Sequence, residues 1–256
     1  VRKNILFVIL AFLLSITACA VSTQTIDPCT PGSMVFVPAG WFSMGQDEGR
    51  RSNQPRRRVY LDAYAIDCTE VTNAAFGLFV ADVGYVAAGW DASLAEEHAD
   101  EPVAGLLWAE ADAYCRWRGD RLPTEAEWEK AARGEDGRCY PWGDEWDAEA
   151  TNTLEGGRGG VAPVGSYPGG ASPYGVLDMA GNVAEWVSDY FDFAYYSYAP
   201  DRNPQEPEEV LDHGIRGGSW ASPPEHALTF FRDSSHSVLP NWRVGFRCAT
   251  GVVSDE

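Results

Sequence analysis

The sequence predicts a single loop-rich α+β domain, and three observations predict it. Twenty-six glycines and sixteen prolines in 256 residues leave little room for long regular elements. Three stretches nevertheless combine helical spacing with start or stop signals. Between them lie short apolar runs of strand length, with no repeat, low-complexity stretch or linker to divide the chain.

Thr72 is placed to cap a helix in which Ala75, Phe76, Phe79, Val80 and Val83 recur at helical spacing, and Gly84 ends it. Trp108 to Arg118 forms a second helix, with Ala109, Ala113 and Trp117 on one face and Gly119 after it. The third has the strongest signal. Thr124 and Glu127 form a capping box, acidic residues fill the first turn, and Gly134 follows Arg133. Met34 to Val37 and Trp41 to Met44 read as strands separated by Pro38-Ala39-Gly40, and Val59-Tyr60-Leu61 as another. The cluster Arg50, Arg51, Arg56, Arg57 and Arg58 reads as a solvated loop leading into that strand. Most of the tryptophans and tyrosines are assigned to the core.

The first residues address the compartment. Arg2 and Lys3 precede a charge-free apolar run from Ile5 to Leu14, too short to span a bilayer but suited to a signal peptide. Ile16-Thr17-Ala18-Cys19 resembles a bacterial lipobox, in which Cys19 is diacylated. Two acyl chains are what stable anchoring needs. The alternative is an ordinary signal peptide cleaved near Ala18 or Ala20. The chain therefore divides into a signal peptide (1–18), a lipidated tether (19–33) and a domain (34–256), placed at a bacterial cell envelope, on the outer membrane. A formal net charge of -19 argues against nucleic acid or an anionic membrane surface as a partner through bulk electrostatics. It favours cationic ligands or divalent metals.

Four segments in fixed order then carry a resemblance: Arg121-Leu-Pro-Thr-Glu-Ala-Glu-Trp128, Gly181-Asn-Val-Ala-Glu-Trp186, Arg216-Gly-Gly-Ser-Trp220 and Gly245-Phe-Arg-Cys248. Together they resemble the sulfatase-modifying-factor domain, the family of the formylglycine-generating enzyme, from about Met34 to Ala249. The resemblance implies a variant of the C-type lectin fold, loop-rich, with short helices and small twisted sheets. It implies a disulfide between Cys115 and Cys248. The family's second bridge is missing, because Ala132 and Arg232 stand at its places. Cys29, Cys68 and Cys139 remain, of which two can pair, and spacing does not say which.

The resemblance also implies structural calcium at Asp178, Gly181, Val183 and Glu185. Carboxylates and backbone carbonyls on a glycine-permitted turn suit a hard cation. A second, weaker set is Asn152, Thr153 and Glu155, with Gly156 where an aspartate is expected. Copper-dependent relatives bind Cu(I) through two cysteines placed where this chain has Ser222 and Ala227. A soft ion selects thiolates, and neither replacement offers one. Ser219 keeps the family serine but has no base to form a triad. His213, His226 and His236, beside Asp212, Glu225 and Asp233, are the candidates for a non-haem iron site. Arg243 and Arg247 read as internal ion-pair partners.

Three functions follow. The first is a membrane-tethered, calcium-stabilised domain without copper chemistry that binds a protein or small-molecule ligand through Ala221 to Asn241, and is not an enzyme. The second is a divergent periplasmic oxidoreductase, iron-dependent or cofactor-free, using Ser219, His226 or His236. The third is a formylglycine generator acting on a sulfatase cysteine with relocated copper ligands.

Overall fold

Thr72 accepts a hydrogen bond from the Ala75 amide at 3.2 Å, and Gly84 takes a left-handed φ of +66°, so α1 spans Asn73–Val83. The computed structural model describes residues 29–85, 87, 89–205 and 212–252. The expected signal peptide, Cys19 and most of the expected tether lie outside the described residues. A single turn, α2 (Leu94–Glu97), precedes α3 (Trp108–Trp117) and α4 (Glu125–Arg133). Among the described residues no helix is long and apolar enough to cross a membrane.

Ala109, Ala113 and Trp117 share one face of α3, as their spacing predicts, and it is the opposite face that is buried. Ala109, Ala113 and Trp117 are exposed, while Glu110, Ala111, Tyr114 and Cys115 are buried. Two constraints set this orientation. Cys115 is disulfide-bonded to Cys248, and Tyr114 packs against Phe76, Phe79 and Phe246 at centroid distances of 5.4–5.9 Å. Glu110 is buried because its carboxylate accepts from the Leu107 amide at 2.7 Å and caps the helix.

Helix α4 has the reciprocal capping box. Thr124 Oγ1 accepts from the Glu127 amide at 3.1 Å, and Glu127 Oε2 from the Thr124 amide at 2.8 Å. Every residue of α4 is buried, although its sequence is mostly polar. Its charged side chains must therefore find partners inside the protein.

The strands are β1 (Met34–Val37), β2 (Gly40–Met44), β3 (Arg57–Leu61), β4 (Tyr64–Asp67), β5 (Ala184–Tyr190), β6 (Asp212–Arg216), β7 (Asp233–His236), β8 (Val244–Phe246) and β9 (Ala249–Gly251). They form three small sheets: β1-β4-β9, β2-β3 and β7-β6-β5-β8. All ladders are antiparallel except β5 with β8, where Glu185 pairs with Gly245. A parallel pair needs a long crossover. The chain between β5 and β8 supplies it and carries β6, β7 and the pocket described below.

Two apolar clusters fill the interior. One joins α4 to the β1–β4 region around Trp128, Tyr64, Met179 and Val187. The other lies under α1 and α3 around Phe76, Tyr114, Trp186 and Phe246. Fully burying a side chain of Phe size contributes about 1.5–3 kcal/mol. A second disulfide, Cys29–Cys68, fixes the segment before β1 against the residue after β4, and Cys139 is a free thiol.

Candidate functional site

The chain leaves β6 through Gly217 and Gly218, with φ of +86° and +70°. A Cβ on Gly218 would meet the His226 backbone at about 3.0 Å, so glycine is needed for both conformation and space. The strand end delivers Ser219 into a tight turn. Ser222 Oγ accepts from the Ser219 amide at 3.0 Å, and the two hydroxyls lie 3.1 Å apart. A 3-10 turn, Pro224–His226, follows, and the His226 ring stacks on Phe231 at 4.2 Å.

These residues border a cavity of about 240 Å³. Ser219, Ser222 and His226 line one part, and Asp233, Asn241 and Arg243 another. Arg50 pairs with Asp233 at 3.2 Å and lies over Phe231, and Arg57 binds Asp201 and the Tyr196 and Ala199 carbonyls. Arg57 is therefore docked rather than solvated, whereas Arg50, Arg51, Arg56 and Arg58 are exposed as expected. Arg243 stacks over Trp220 at 5.7 Å, in place of the ion pair expected for it.

The pocket floor rests on a buried ion lattice that the sequence did not reveal. Arg216 reaches Glu125 at 3.0 Å and Glu129 at 2.8 Å. Arg232 holds Glu125 at 2.7 Å, and Arg133 holds Glu129 at 2.9 Å. All five side chains are at most 2 % exposed. Burial alone would raise the Glu125 carboxyl, but Arg232 and Arg216 bring it below its usual range. Arg232 thus takes up, as an ion-pair partner, the position at which the resemblance implied a missing disulfide. Glu and Arg spacing within α4 signals only the i,i+4 pair Glu129–Arg133.

The expected copper positions hold no thiol. Ser222 is a hydroxyl in the turn, Ala227 is fully buried, and no cysteine lines the cavity among the described residues. The donor set does not fit Cu(I). Burial raises the pKa of Cys139, the remaining free thiol among the described residues.

The three histidines are not brought together. His213 is buried between Trp108 and Tyr190, with centroids at 3.9 and 4.2 Å, and its Nδ1 lies 2.6 Å from Ser237 Oγ. Burial pushes its pKa down to about 4. His226 faces the cavity, and His236 is exposed on β7. Among the described residues no group of three or more His, Cys, Asp or Glu side chains is arranged to hold a metal.

Of the residues expected at calcium, Asp178 and Gly181 occupy left-handed backbone, with φ of +58° and +77°. A Cβ on Gly181 would lie about 2.3 Å from the Asn152 carbonyl, which fixes glycine there. Asp178 is 7 % exposed and accepts from the Gly165 amide at 2.6 Å. Val183 is fully buried. Glu185 is engaged on both oxygens, by Arg247 at 2.6 and 2.7 Å and by Trp128 Nε1 at 2.8 Å. Arg247 is thus the ion-pair partner expected. In the second set, Asn152 and Thr153 are buried, whereas Glu155 is exposed and accepts from Trp146 Nε1.

Sequence reading missed Glu70. Its carboxyl is 2 % exposed and lies against Asp178, and burial first, then Asp178 and Glu185, raise its pKa. Glu70 Oε2, Asn152 Oδ1 and Thr153 Oγ1 are buried oxygens with no hydrogen-bond partner. Such an oxygen-rich, donor-poor region fits a hard cation.

Comparison with known proteins agrees with this architecture. The sulfatase-modifying factor enzyme 1-like domain matches residues 21–252. The chain is 34% identical to the serine/threonine-protein kinase pkn1 of Chlamydia caviae over 86% of its own length, but spans only 38% of that protein. It is 33% identical to the formylglycine-generating enzyme of Streptomyces coelicolor, covering 87% of this chain and 90% of that one. It is 31% identical to the inactive C-alpha-formylglycine-generating enzyme 2 of Bos taurus, covering 86% and 88%. The structure of PvdO from Pseudomonas aeruginosa superposes with a TM-score of 0.74 at 26% identity, over 86% of this chain and 94% of that one. With a match that runs from before β1 to after β9, the chain belongs to the family of sulfatase-modifying factor enzyme 1-like domains.

Proposed function

We infer that this chain is a binding member of its family, stabilised by calcium and tethered to a bacterial envelope by a lipid on Cys19, without copper-dependent formylglycine formation. The observation that carries the reading is the Ser219–Ser222 hydroxyl turn where copper-dependent relatives place a thiolate. A hydroxyl is a poor ligand for Cu(I). That a relative 31% identical is named inactive supports a family with non-catalytic members.

The cavity suits a small polar or zwitterionic group. Arg243 offers a cation to an anionic group, Asp233 a carboxylate to an amine, and His226 and Asn241 further hydrogen-bonding groups. Beside it Leu239 and Trp242 are 59% and 61% exposed and offer apolar area to the rest of a ligand or partner. The oxidoreductase alternative draws on His226 and Asp233 in the same cavity. One imidazole and one carboxylate already paired with Arg50 are fewer donors than a two-histidine, one-carboxylate iron site requires.

The test is incubation of the purified chain with a Cys-x-Pro-x-Arg peptide, Cu(I) and oxygen, followed by mass spectrometry. Wild type is expected to yield no aldehyde, and the double substitution Ser222→Cys, Ala227→Cys to gain Cu(I) binding. Aldehyde formation by wild type would overturn the reading. For the anchor, Cys19→Ser is expected to release the chain from the membrane fraction, and retention would remove the lipid from the proposal.

A further inference from the structure

A second cleft, of about 470 Å³, shares no lining residue with the cavity at Ser219. One wall is the face of α3 that carries Trp108, Asp112 and Arg116, spaced so that they lie one above the other. Arg121 and Glu127, at the start of α4, form part of another, and Asp62 in the β3–β4 turn lies at the rim. Tyr190 of β5 adds a hydroxyl.

Each charged side chain that lines this cleft has a partner of opposite sign. Arg116 Nη2 lies 3.0 Å from Asp112 Oδ2, Arg121 holds both Glu127 oxygens at 2.6 Å, and Arg202 pairs with Asp62. A charged ligand would have to displace one of these pairs, and an apolar one would bury them without new partners. Asp112 has room for a further donor. Its side chain is 15% exposed, and burial raises its carboxyl above the usual range although Arg116 opposes this. Trp108 is held in place, with one face stacked on His213 at 3.9 Å and Nε1 donating to the Val187 carbonyl at 2.8 Å. The rest of its ring offers the cleft apolar area that needs no further ordering.

We propose that this cleft binds a neutral saccharide, with a pyranose ring laid on Trp108 and adjacent hydroxyls held by Asp112 and Arg116 together. A hydroxyl both donates and accepts. Two neighbouring sugar hydroxyls thus give a hydrogen to the carboxylate and take one from the guanidinium, and the ion pair stays intact. The C–H groups on the apolar face of the sugar cover the indole. The assignment goes beyond the cavity at Ser219 and depends neither on that reading nor on calcium.

The experiment uses the full chain in a detergent without a sugar head group. The methyl glycosides of glucose, galactose, mannose and N-acetylglucosamine are titrated and followed by saturation-transfer NMR. At least one should bind saturably, with a Kd on the order of 1 mM for so small a ligand. Its ring C–H signals should receive the strongest transfer. Asp112→Asn and Arg116→Gln should each weaken that binding by about tenfold or more. Arg138→Gln, which opens an unrelated pair with Asp136, should leave it unchanged. If Asp112→Asn does not fold, Arg116→Gln decides alone, since the Arg116 side chain is 73% exposed and its loss spares the fold. Saturable binding by none of the four glycosides overturns the proposal, and so does binding that both substitutions leave intact. Methyl glucuronide should bind no tighter than methyl glucoside. A tenfold preference for the glucuronide would make Arg116 and Arg121 an anion site and overturn the assignment to a neutral sugar.

Discussion

Two buried polar regions of this protein close in opposite ways. Under the pocket, Arg133, Arg216 and Arg232 enclose Glu125 and Glu129, and positive charge is in excess. At the Asp178 loops three carboxyl groups, Glu70, Asp178 and Glu185, lie around the one guanidinium of Arg247, and burial raises the pKa of the first two. Their unpartnered atoms differ in kind. In the first they are donors, Arg133 Nε and Arg216 Nε, on guanidinium groups that lie over Phe230 and Trp128. A ring face accommodates a cation. In the second they are oxygens, Glu70 Oε2, Asn152 Oδ1 and Thr153 Oγ1. One region closes with arginines to spare, and the other with carboxyl groups to spare.

The comparison breaks most readily in the first region. Arg216→Met should cost about 3–5 kcal/mol in urea unfolding, because it takes from two buried glutamates the one arginine that bridges them. A loss below 1 kcal/mol would show that the lattice is not the frame of the pocket. Next in size is the Cys115→Ser, Cys248→Ser pair. These cysteines are separated by 133 positions, and losing the bridge should cost about 2–5 kcal/mol, read the same way.

The pH response sharpens the contrast, since His213 is a third way of burying a polar group: neutral, in an aromatic stack. Its folded pKa of about 4 lies below the ordinary 6.5, so the unfolded chain binds the extra proton between those values. Its contribution to stability is therefore complete above pH 6.5 and lost as pH falls towards 4. The contribution is on the order of 1–3 kcal/mol. The fall in Tm between pH 6.5 and 4 should be smaller in His213→Phe than in wild type. Equal falls would show that the ring is protonated in the fold. The smallest effect is expected at the pocket turn. Ser222→Ala removes the acceptor of the Ser219 amide and should cost about 0.5–1.5 kcal/mol in thermal unfolding. A larger loss would make the turn part of the frame.

What was legible in the sequence was local. Thr72, Gly84, Thr124 and Glu127 announced their helix ends because a cap needs only its own first or last turn. The strands at Met34–Val37 and Gly40–Met44 followed from short apolar runs between turn residues. The Cys115–Cys248 bridge came through the family resemblance, and spacing alone would not have chosen it. The burial of all of α4 was not legible, since nothing within its own sequence refers to Arg216 and Arg232, which reach its glutamates from distant segments. Nor was the face of α3, which is turned by a disulfide and by Phe246. Glu70 gave no signal, because nothing in Cys68-Thr69-Glu70-Val71-Thr72 refers to Asp178.

The sheet β1-β4-β9 has a kinetic consequence. Tyr64 pairs with Gly251 and Ile66 with Ala249, so one edge of β4 stays bare until the end of the chain arrives. Loop closure over such a distance makes the step slow. A chain still emerging during its synthesis exposes that edge of β4 until β9 has followed. Docking of β9 then gates the sheet, and a chain shortened before Ala249 should be protease-sensitive.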